Sequence, residues 1–268
     1  MIDCAEGTQL QIRRYRIRLQ RINHIFISHM HGDHYLGLQG VISSMSLLGR
    51  KTALTVYGPD GLEELIRLNL KVSVTYLNFE LRFVVTNPKK EEILLTNNIV
   101  QISSIPLKHR IPCTGFKFQE LQRPPNMKKE MVTEKNIGIE EILSLKRGED
   151  VHRESGEVLK ANECTVPPKT PKSYAFCSDT AYHQSVIDSI QGVHTLYHES
   201  TFLHKDRDRA KQTGHSTAKQ AAEVAVECGA KQLILGHFSA RYKSVELFRK
   251  EAQELHQVVR IANDGDVF

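Results

Sequence analysis

Three histidines and an aspartate crowd the segment His29-Met30-His31-Gly32-Asp33-His34, which directly follows the apolar run Ile25-Phe26-Ile27. Imidazole nitrogens and carboxylate oxygens are ligands for zinc and, less selectively, for manganese or iron. On a tight turn after a strand, the first two histidines converge on one ion, while Asp33 and His34 face a second ion beside it. Four adjacent titratable groups are costly to desolvate without a cation. The alternative is a solvated polar loop whose histidines bond to the backbone.

A two-metal centre needs more ligands than this segment supplies, and three later residues are candidates. His109, Asp179 and His237 each follow an apolar, strand-like run. An aspartate in such a position can bridge two cations with its two oxygens, and bridged metal pairs activate water in phosphoryl chemistry. Each position alone is weak evidence, because a lone histidine after a strand is commonly structural. Together with the opening segment, they predict a dinuclear site.

The bulk composition is that of an ordinary globular protein. The chain has 268 residues, of which 40% are hydrophobic and 25% charged, enough for one large α/β domain or two small ones. The formal net charge of +5 is only weak evidence for a polyanionic partner.

Nothing in the sequence predicts secretion or a membrane span. No apolar run approaches the roughly 20 residues that a spanning helix needs, and no cleavable leader opens the chain. The cysteines are odd in number and scattered, which predicts reduced thiols that fill the core. We therefore expect a cytoplasmic protein.

Short apolar runs alternate with amphipathic stretches, a pattern typical of layered α/β folds. The predicted strands are His24–Ser28, Leu54–Tyr57, Leu81–Thr86, Ile99–Ile105, Thr114–Phe118, Tyr174–Ser178, Thr195–Tyr197, Gln232–Leu235 and Val258–Ile261. The predicted helices are Tyr35–Leu48, Gly61–Leu70, Gln184–Ile190, Thr217–Cys228 and Val245–His256. Ser216 or Thr217 is the predicted N-cap of the fourth of these helices. Between residues 120 and 171 the periodicity is lost, which predicts an irregular insertion or protruding arm.

The motifs resemble those of the ribonuclease Z family of tRNA 3′-processing endonucleases. His29–His34 has the HxHxDH pattern of the wider metallo-β-lactamase superfamily. Other segments are similar to that family's and occur in the same order: Ile2-Asp3-Cys4, Lys108-His109-Arg110-Ile111-Pro112, Phe176-Cys177-Ser178-Asp179-Thr180, His198-Glu199-Ser200-Thr201-Phe202, Gly214-His215-Ser216-Thr217-Ala218 and Gly236-His237-Phe238-Ser239-Ala240-Arg241-Tyr242. The last two of these segments point to ribonuclease Z itself.

The resemblance implies a metallo-β-lactamase αββα sandwich in a single domain with two Zn²⁺ ions per chain, Mn²⁺ or Fe²⁺ being alternatives. One ion is expected on His29, His31, His109 and Asp179. The other is expected on Asp33, His34, Asp179 and His237, so that Asp179 bridges the two. Asp33 is expected also to hold the attacking water and accept its proton, and Asp3 to support the ligand loop.

His215 is needed by neither metal shell and is suited to protonate the leaving oxygen of a phosphodiester, with Glu199 fixing its tautomer. The alternative is that His215 only caps a helix through its backbone.

The resemblance further implies a precursor tRNA substrate, a homodimer and an arm that grips the tRNA. Lysines in the 120–171 arm are expected to contact phosphates, although a solvated surface of alternating charge explains each one as well. A basic run near the catalytic loop is a candidate for the acceptor stem, unless it is an ordinary helix face: Arg13, Arg14, Arg16, Arg18 and Arg21.

Family members carry a strand pair before Ile2-Asp3-Cys4, so the first N-terminal strands are expected to be absent here. The leading interpretation is an endoribonuclease that removes 3′ trailers from precursor tRNA and leaves a 3′-hydroxyl. One alternative is a phosphodiesterase of the same fold acting on cyclic nucleotides or other small phosphodiesters. The other is a catalytically impaired RNA-binding protein, which the intact ligand set disfavours.

Overall fold

The computed structural model describes residues 1–268, in which helices and strands alternate. The helices are α1 (Thr8–Arg14), α2 (Gly32–Tyr35), α3 (Leu38–Leu47), α4 (Leu62–Val72), α5 (Lys129–Glu134), α6 (Ile139–Lys146), α7 (Ala161–Cys164), α8 (Gln184–Ser189), α9 (Arg207–Thr213), α10 (Ala218–Glu227) and α11 (Glu246–Gln253). The strands are β1 (His24–Phe26), β2 (Leu54–Gly58), β3 (Leu81–Val85), β4 (Ile93–Thr96), β5 (Val100–Pro106), β6 (Thr114–Glu120), β7 (Asn126–Met127), β8 (Val151–His152), β9 (Val158–Leu159), β10 (Thr165–Val166), β11 (Ser173–Cys177), β12 (Thr195–Glu199), β13 (Gln232–Gly236) and β14 (Val259–Ile261). None of the helices has the length and apolar character needed to cross a membrane.

The chain separates into two compact units. The first comprises residues 1–96, 101–118 and 173–268, and the second comprises residues 97–100 and 119–172. The first unit is built on two sheets: a three-stranded sheet in the order β1-β2-β3 and a seven-stranded sheet in the order β14-β13-β12-β11-β6-β5-β4.

The two sheets of the first unit face each other through aromatic side chains. Phe26 of β1 stacks on Tyr57 of β2 and lies 5.2 Å, ring centre to ring centre, from Phe116 of β6. On the outer face of the small sheet, α3 and α4 bury Val41, Met45 and Ile66 against the strands. On the outer face of the large sheet, α8, α10 and α11 bury their apolar residues in a second cluster. The layers are therefore helix, sheet, sheet and helix.

Parallel pairing brings the chain ends of several strands to one edge. Strands β11 to β14 are parallel to one another, and so are β1, β2 and β3. Polar groups that follow these strands share the edge at their carboxyl ends, where sites form in α/β proteins.

All nine predicted strands are present, with ends within about two residues of the prediction. The predicted helix Tyr35–Leu48 is wrong as one element, because it is divided into α2 and α3. Gly37 donates its N–H to the carbonyl of Cys4 at 2.9 Å instead of continuing the helix. A Cβ on Gly37 would lie 1.9 Å from the carbonyl oxygen of Ala5, so this close approach requires glycine.

The second unit is not irregular, which corrects the prediction for residues 120–171. It contains three short helices and two two-stranded sheets, β7 with β10 and β8 with β9. Its own core joins Ile137, Leu145, Leu159, Ala161 and Cys164. Elements of two to eight residues are too short for a hydrophobic period to emerge from the sequence.

Candidate metal centre

The histidine-rich loop after β1 is anchored by Asp3. One carboxylate oxygen of Asp3 accepts the backbone N–H of Ser28 at 2.8 Å, and the other accepts the Ser28 hydroxyl at 3.0 Å. The second oxygen also lies 2.7 Å from Nδ1 of His34. Asp3 has a left-handed backbone with φ of +48°, a strained conformation that these bonds hold in place. Asp3 is therefore in contact with the ligand loop at three points, the arrangement expected of a residue that supports it.

The first candidate group joins His29, His31, His109 and Asp179, whose donor atoms all lie within 4.8 Å of one another. Nδ1 of His31 is 2.9 Å from Nε2 of His29 and 3.3 Å from Nε2 of His109. Oδ2 of Asp179 is 3.6 Å from the His29 nitrogen and 3.7 Å from the His109 nitrogen. Three imidazoles and a carboxylate thus converge on one point.

The second candidate group joins Asp33, His34 and His237. Nε2 of His34 and Nε2 of His237 lie 3.6 Å and 3.8 Å from Oδ2 of Asp33. The same two nitrogens lie 3.5 Å and 3.2 Å from Oδ1 of Asp179. The two oxygens of Asp179 therefore face different groups.

Hydrogen bonds to the other ring nitrogen orient four of these imidazoles. Nδ1 of His29 contacts the Ser28 hydroxyl at 2.9 Å, and Nδ1 of His109 contacts the carbonyl oxygen of Gly214 at 2.8 Å. Nδ1 of His237 contacts the Thr201 hydroxyl at 2.9 Å. With the bond from Asp3 to His34, each Nε2 is directed into the site. Such outer contacts fix the tautomer and ring plane of metal-binding histidines.

The backbone at His237 is also strained, with φ of +58° directly after the end of β13. The preceding Gly236 packs against Tyr197, and a Cβ there would lie 2.2 Å from the tyrosine oxygen. A glycine at this position lets the chain turn sharply out of the sheet and directs the imidazole toward Asp179.

Burial and neighbouring charges divide the histidines into two classes. Burial lowers the pKa of His29 to about 2 and also lowers the pKa of His109, so both are neutral at pH 7, the form that binds metal. Burial lowers the pKa of His237, but nearby carboxylates outweigh the effect of burial and raise this pKa to about 9. Asp33 and Asp179 are among these carboxylates. The nearby His237 in turn holds the pKa of Asp33 well below its usual range. Protonated His237 thus offsets the charge of a neighbouring carboxylate at pH 7, and a metal ion must displace that proton to bind this group.

The residues fit a divalent cation on their own geometry. Nε2 of His34 is buried and has no hydrogen-bond partner, although it is directed at the carboxylates of Asp33 and Asp179. An orphaned nitrogen of this kind is costly unless it binds something. Nitrogen and oxygen donors in this number suit zinc, manganese or iron.

His215 lies beside the site and is paired with Glu199. Its Nδ1 is 2.8 Å from Oε1 of Glu199, whose side chain is fully buried at the end of β12. Nδ1 is 3.9 Å from Asp179, and the ring stacks on that of His237 at 5.5 Å. The predicted pair is therefore in contact, and the helix that follows is capped by the Thr217 side chain instead of His215.

Sequence reasoning missed the hydroxyl of Thr201, which links the Glu199–His215 pair to the proposed metal ligand His237. It contacts Glu199 at 2.7 Å, His237 at 2.9 Å and His215 at 3.3 Å. Its position two residues after Glu199, in the segment His198-Glu199-Ser200-Thr201-Phe202, was the only signal. Conversely, the neighbouring His198 does not join the site, because it is fully buried with Nδ1 bonded to the Glu199 carbonyl at 2.7 Å.

Comparison with known proteins decides the family. The ribonuclease Z of Parabacteroides distasonis is 43% identical over 265 residues, which cover 99% of this chain and 87% of the relative. The chain belongs to the ribonuclease Z family. The expectation of a metal-dependent endoribonuclease of tRNA 3′ processing is thereby confirmed.

Two solved structures have the same fold. The short form of human tRNase Z has a TM-score of 0.68 and 25% identity, covering all of this chain and 86% of the human one. The metallo-β-lactamase fold protein YhfI from Bacillus subtilis has a TM-score of 0.67 at 19% identity, over 100% and 85% of the two chains. A family model described as anti-Pycsar protein Apyc1 matches residues 1–133. The predicted metallo-β-lactamase fold is confirmed. This chain also has the His/Asp cluster suited to metal that was described above.

Proposed function

We propose that this ribonuclease Z family member removes the 3′ trailer of precursor tRNA with two zinc ions, held by the two groups of ligands described above. The observation that carries the proposal is the carboxylate of Asp179, one oxygen of which faces His29 and His109 while the other faces His34 and His237. A carboxylate in this position reduces the repulsion between two cations held side by side. Asp179 would therefore be the ligand shared by both ions.

When bound, a pair of such ions withdraws charge from the phosphoryl oxygens and makes water nucleophilic at neutral pH. Asp33 is the carboxylate assigned to the water, because its side chain is 61% exposed and so is reached from solvent. It orients the water and accepts its proton as the new P–O bond forms.

His215 is assigned as the general acid. Attack on phosphorus breaks the bond to the 3′-oxygen of the tRNA, and this oxygen needs a proton as it leaves. Glu199 holds Nδ1 of His215, so Nε2 is the atom that delivers the proton. The products are a tRNA with a 3′-hydroxyl and a trailer with a 5′-phosphate. Because Glu199 also accepts the backbone N–H of Thr180 and of Thr201, both at 3.0 Å, it is rigidly held.

The second unit is assigned as the arm that holds the tRNA. Several of its cations are engaged in ion pairs, as Arg153 is with Glu141 and Glu157. Other cations of the unit make no ion pair and are available to phosphates: Arg123, Lys129, Lys146, Lys169 and Lys172. Binding through them would weaken steeply with salt.

The arginine run near the N-terminus is a second candidate surface for phosphates. These arginines are exposed and make no ion pair, and they are not one helix face, because α1 ends at Arg14. Arg16 has a left-handed backbone with φ of +53°, and Arg21 ends a short 3₁₀ turn. The alternative of an ordinary helix face is therefore wrong.

We also propose a homodimer located in the cytoplasm. Apolar side chains are exposed at the end of α3 and in the segment after α4, with Leu47 87% and Tyr76 84% exposed. A hydrogen bond of 3.4 Å from the Asn78 N–H to the Ser46 hydroxyl joins these two segments. The cysteines are free and buried, as is usual in a reducing compartment. Light scattering of the wild type and of Tyr76→Glu tests the dimer, which the substitution should dissociate.

The decisive experiment uses precursor tRNA labelled at one end, incubated with and without chelator, and maps the cut. Cleavage that leaves a 3′-hydroxyl on the tRNA, is lost with chelator and returns with zinc supports the proposal. Metal analysis of the purified protein should give two zinc ions per chain. Cleavage of cyclic nucleotides in preference to precursor tRNA would favour the small-phosphodiester alternative.

A further inference from the structure

A cleft of about 490 Å³ opens directly beside the metal site. One of its walls is the loop after β5, with Lys108, His109 and Arg110. The opposite wall is the exposed side of α9, with Arg207 and Lys211, followed by Gly214 and His215. The cleft therefore includes one histidine of the first metal group and the proposed general acid.

The cleft is strongly positive and has no internal compensation. Lys108, Arg110, Arg207 and Lys211 are all exposed, and none of them forms an ion pair. No aspartate or glutamate is among the residues that line it. Four unpaired cations around one concave surface favour a ligand with several negative charges, because each charge adds to a shared attractive potential.

The loop and the helix that carry these cations are held together. Nδ1 of His109 contacts the carbonyl oxygen of Gly214 at 2.8 Å. Gly214 has φ of +71° and ends α9, and a Cβ there would lie 3.2 Å from His109 and 3.3 Å from the backbone nitrogen of Arg110. The spacing of the cations on the two walls is thus set by the same contact that orients a proposed metal ligand.

We infer that this cleft binds the backbone phosphates of the tRNA-side nucleotides, those that precede the scissile phosphate. The inference rests on the proposed function, in which His215 protonates the departing 3′-oxygen. That oxygen belongs to the last tRNA nucleotide, which must therefore lie on the His215 side of the site. The phosphates of this nucleotide and its neighbours then enter the cleft between Arg110 and Lys211.

The test compares two charge-matched double variants in the full chain. Arg207→Ser with Lys211→Ser removes two cleft cations. Lys51→Ser with Lys71→Ser removes two exposed, unpaired lysines near the opposite ends of the parallel strands. The cleft variant should raise KM for precursor tRNA about tenfold or more, and the slope of log affinity against log salt should become shallower by about 1 per cation removed. The control should match wild type in KM, and both variants should keep wild-type metal content and melting temperature.

Precursors with uncharged methylphosphonate linkages identify the side. Neutralising two linkages before the scissile phosphate should weaken wild-type binding but have a smaller effect on the cleft variant, because two of the four cations that face those phosphates are already gone. Neutralising two linkages after it should weaken both proteins equally. A cleft variant that behaves like the control overturns the inference, and so does coupling to the trailer side only. Absence of precursor cleavage by the wild type would instead overturn the proposed function.

Discussion

Oε1 of Glu199 lies 2.8 Å from Nδ1 of His215, and the glutamate has no exposed surface. A buried carboxylate at hydrogen-bond distance fixes which ring nitrogen of the histidine carries a proton toward the reaction. His215 is also close to the proposed metal ligands, because its donor atom lies within 4.8 Å of those of Asp179 and His237. Whether His215 acts on substrate or on metal is therefore a measurable distinction.

His215→Ala should lower kcat for precursor tRNA by about 10²–10⁴-fold, the usual contribution of a general acid. Metal content measured by elemental analysis should stay at the wild-type value, because both ligand groups are complete without this residue. His152→Ala, an exposed histidine of the second unit, is the matched control and should leave kcat unchanged. Loss of metal in His215→Ala would reassign the residue as a ligand.

Asp3→Ala should weaken metal binding about 10–100-fold, as changes in groups that orient metal ligands do. The substitution leaves His34 and the Ser28 backbone N–H without their partner. Competition with a chromogenic chelator measures the change in affinity. Asp60→Asn, on an exposed loop after β2, provides a control. An affinity equal to wild type would mean that the loop holds its shape without Asp3.

Removal of metal should lower the thermal stability as well as the activity. The packed imidazoles and carboxylates, including the orphaned Nε2 of His34, lose the ion that compensates them. A ligand that binds only the folded state stabilises it by about 2.7 kcal/mol when present at 100 times its dissociation constant. Scanning calorimetry of chelated and zinc-loaded protein should thus give a clearly higher midpoint with zinc. Equal midpoints would contradict a site that is filled in the folded state.

The cysteines should be inert to thiol reagents in the folded protein at pH 8. Burial raises the pKa of the Cys4 thiol to about 12 and raises the pKa of Cys164 and Cys228 as well, so the reactive thiolate is scarce. Because the folded pKa values are raised, these thiols favour the folded state below pH 9 and cease to do so as the pH rises through the folded values. Titration with a chromogenic disulfide should detect all five thiols only after unfolding. Rapid reaction of a native thiol would show an accessible cysteine.

The residues proposed for the site follow patterns that are local in the sequence, unlike some of the elements around them. His29 to His34, Asp179 and His237 follow buried apolar strands. The apolar run and the polar residue after it are close together in the sequence, so each can be recognised locally. Strand β4 was missed because its apolar run, Ile93 to Leu95, is only three residues long and lies half-exposed at the edge of its sheet. The division between α2 and α3 depends on a hydrogen bond from Gly37 to Cys4, a contact between distant residues that no local pattern encodes.

The role of Thr201 could not be predicted for a similar reason. A threonine after a strand has no distinctive spacing, and its function arises only when β12, β13 and the segment before α10 meet. The hydroxyl then contacts three side chains that lie up to 36 positions away from it in sequence. Local patterns identify which residues can do chemistry, whereas the groups that orient them depend on the tertiary fold.

Excision of the arm should separate substrate binding from hydrolysis. The backbone N–H of Glu120 donates to the carbonyl of Lys172 at 2.9 Å, so the two ends of the segment are adjacent and a short Gly-Ser link can replace residues 121–171. KM for precursor tRNA should rise roughly 10–100-fold through lost phosphate contacts, and the binding should depend less on salt. Hydrolysis of bis(p-nitrophenyl) phosphate, which has no flanking phosphates, should continue.

A variant with an intact arm but fewer free cations provides the matched comparison. Changing Lys129, Lys146 and Lys169 to serine should reproduce much of the loss in tRNA binding. Lys135 and Lys160, which are already paired with Glu157 and Glu163, should matter less when changed in the same way, because their charge is partly neutralised. If the excision abolishes both activities equally, the second unit supports the fold of the metal site and is not a separate binding element.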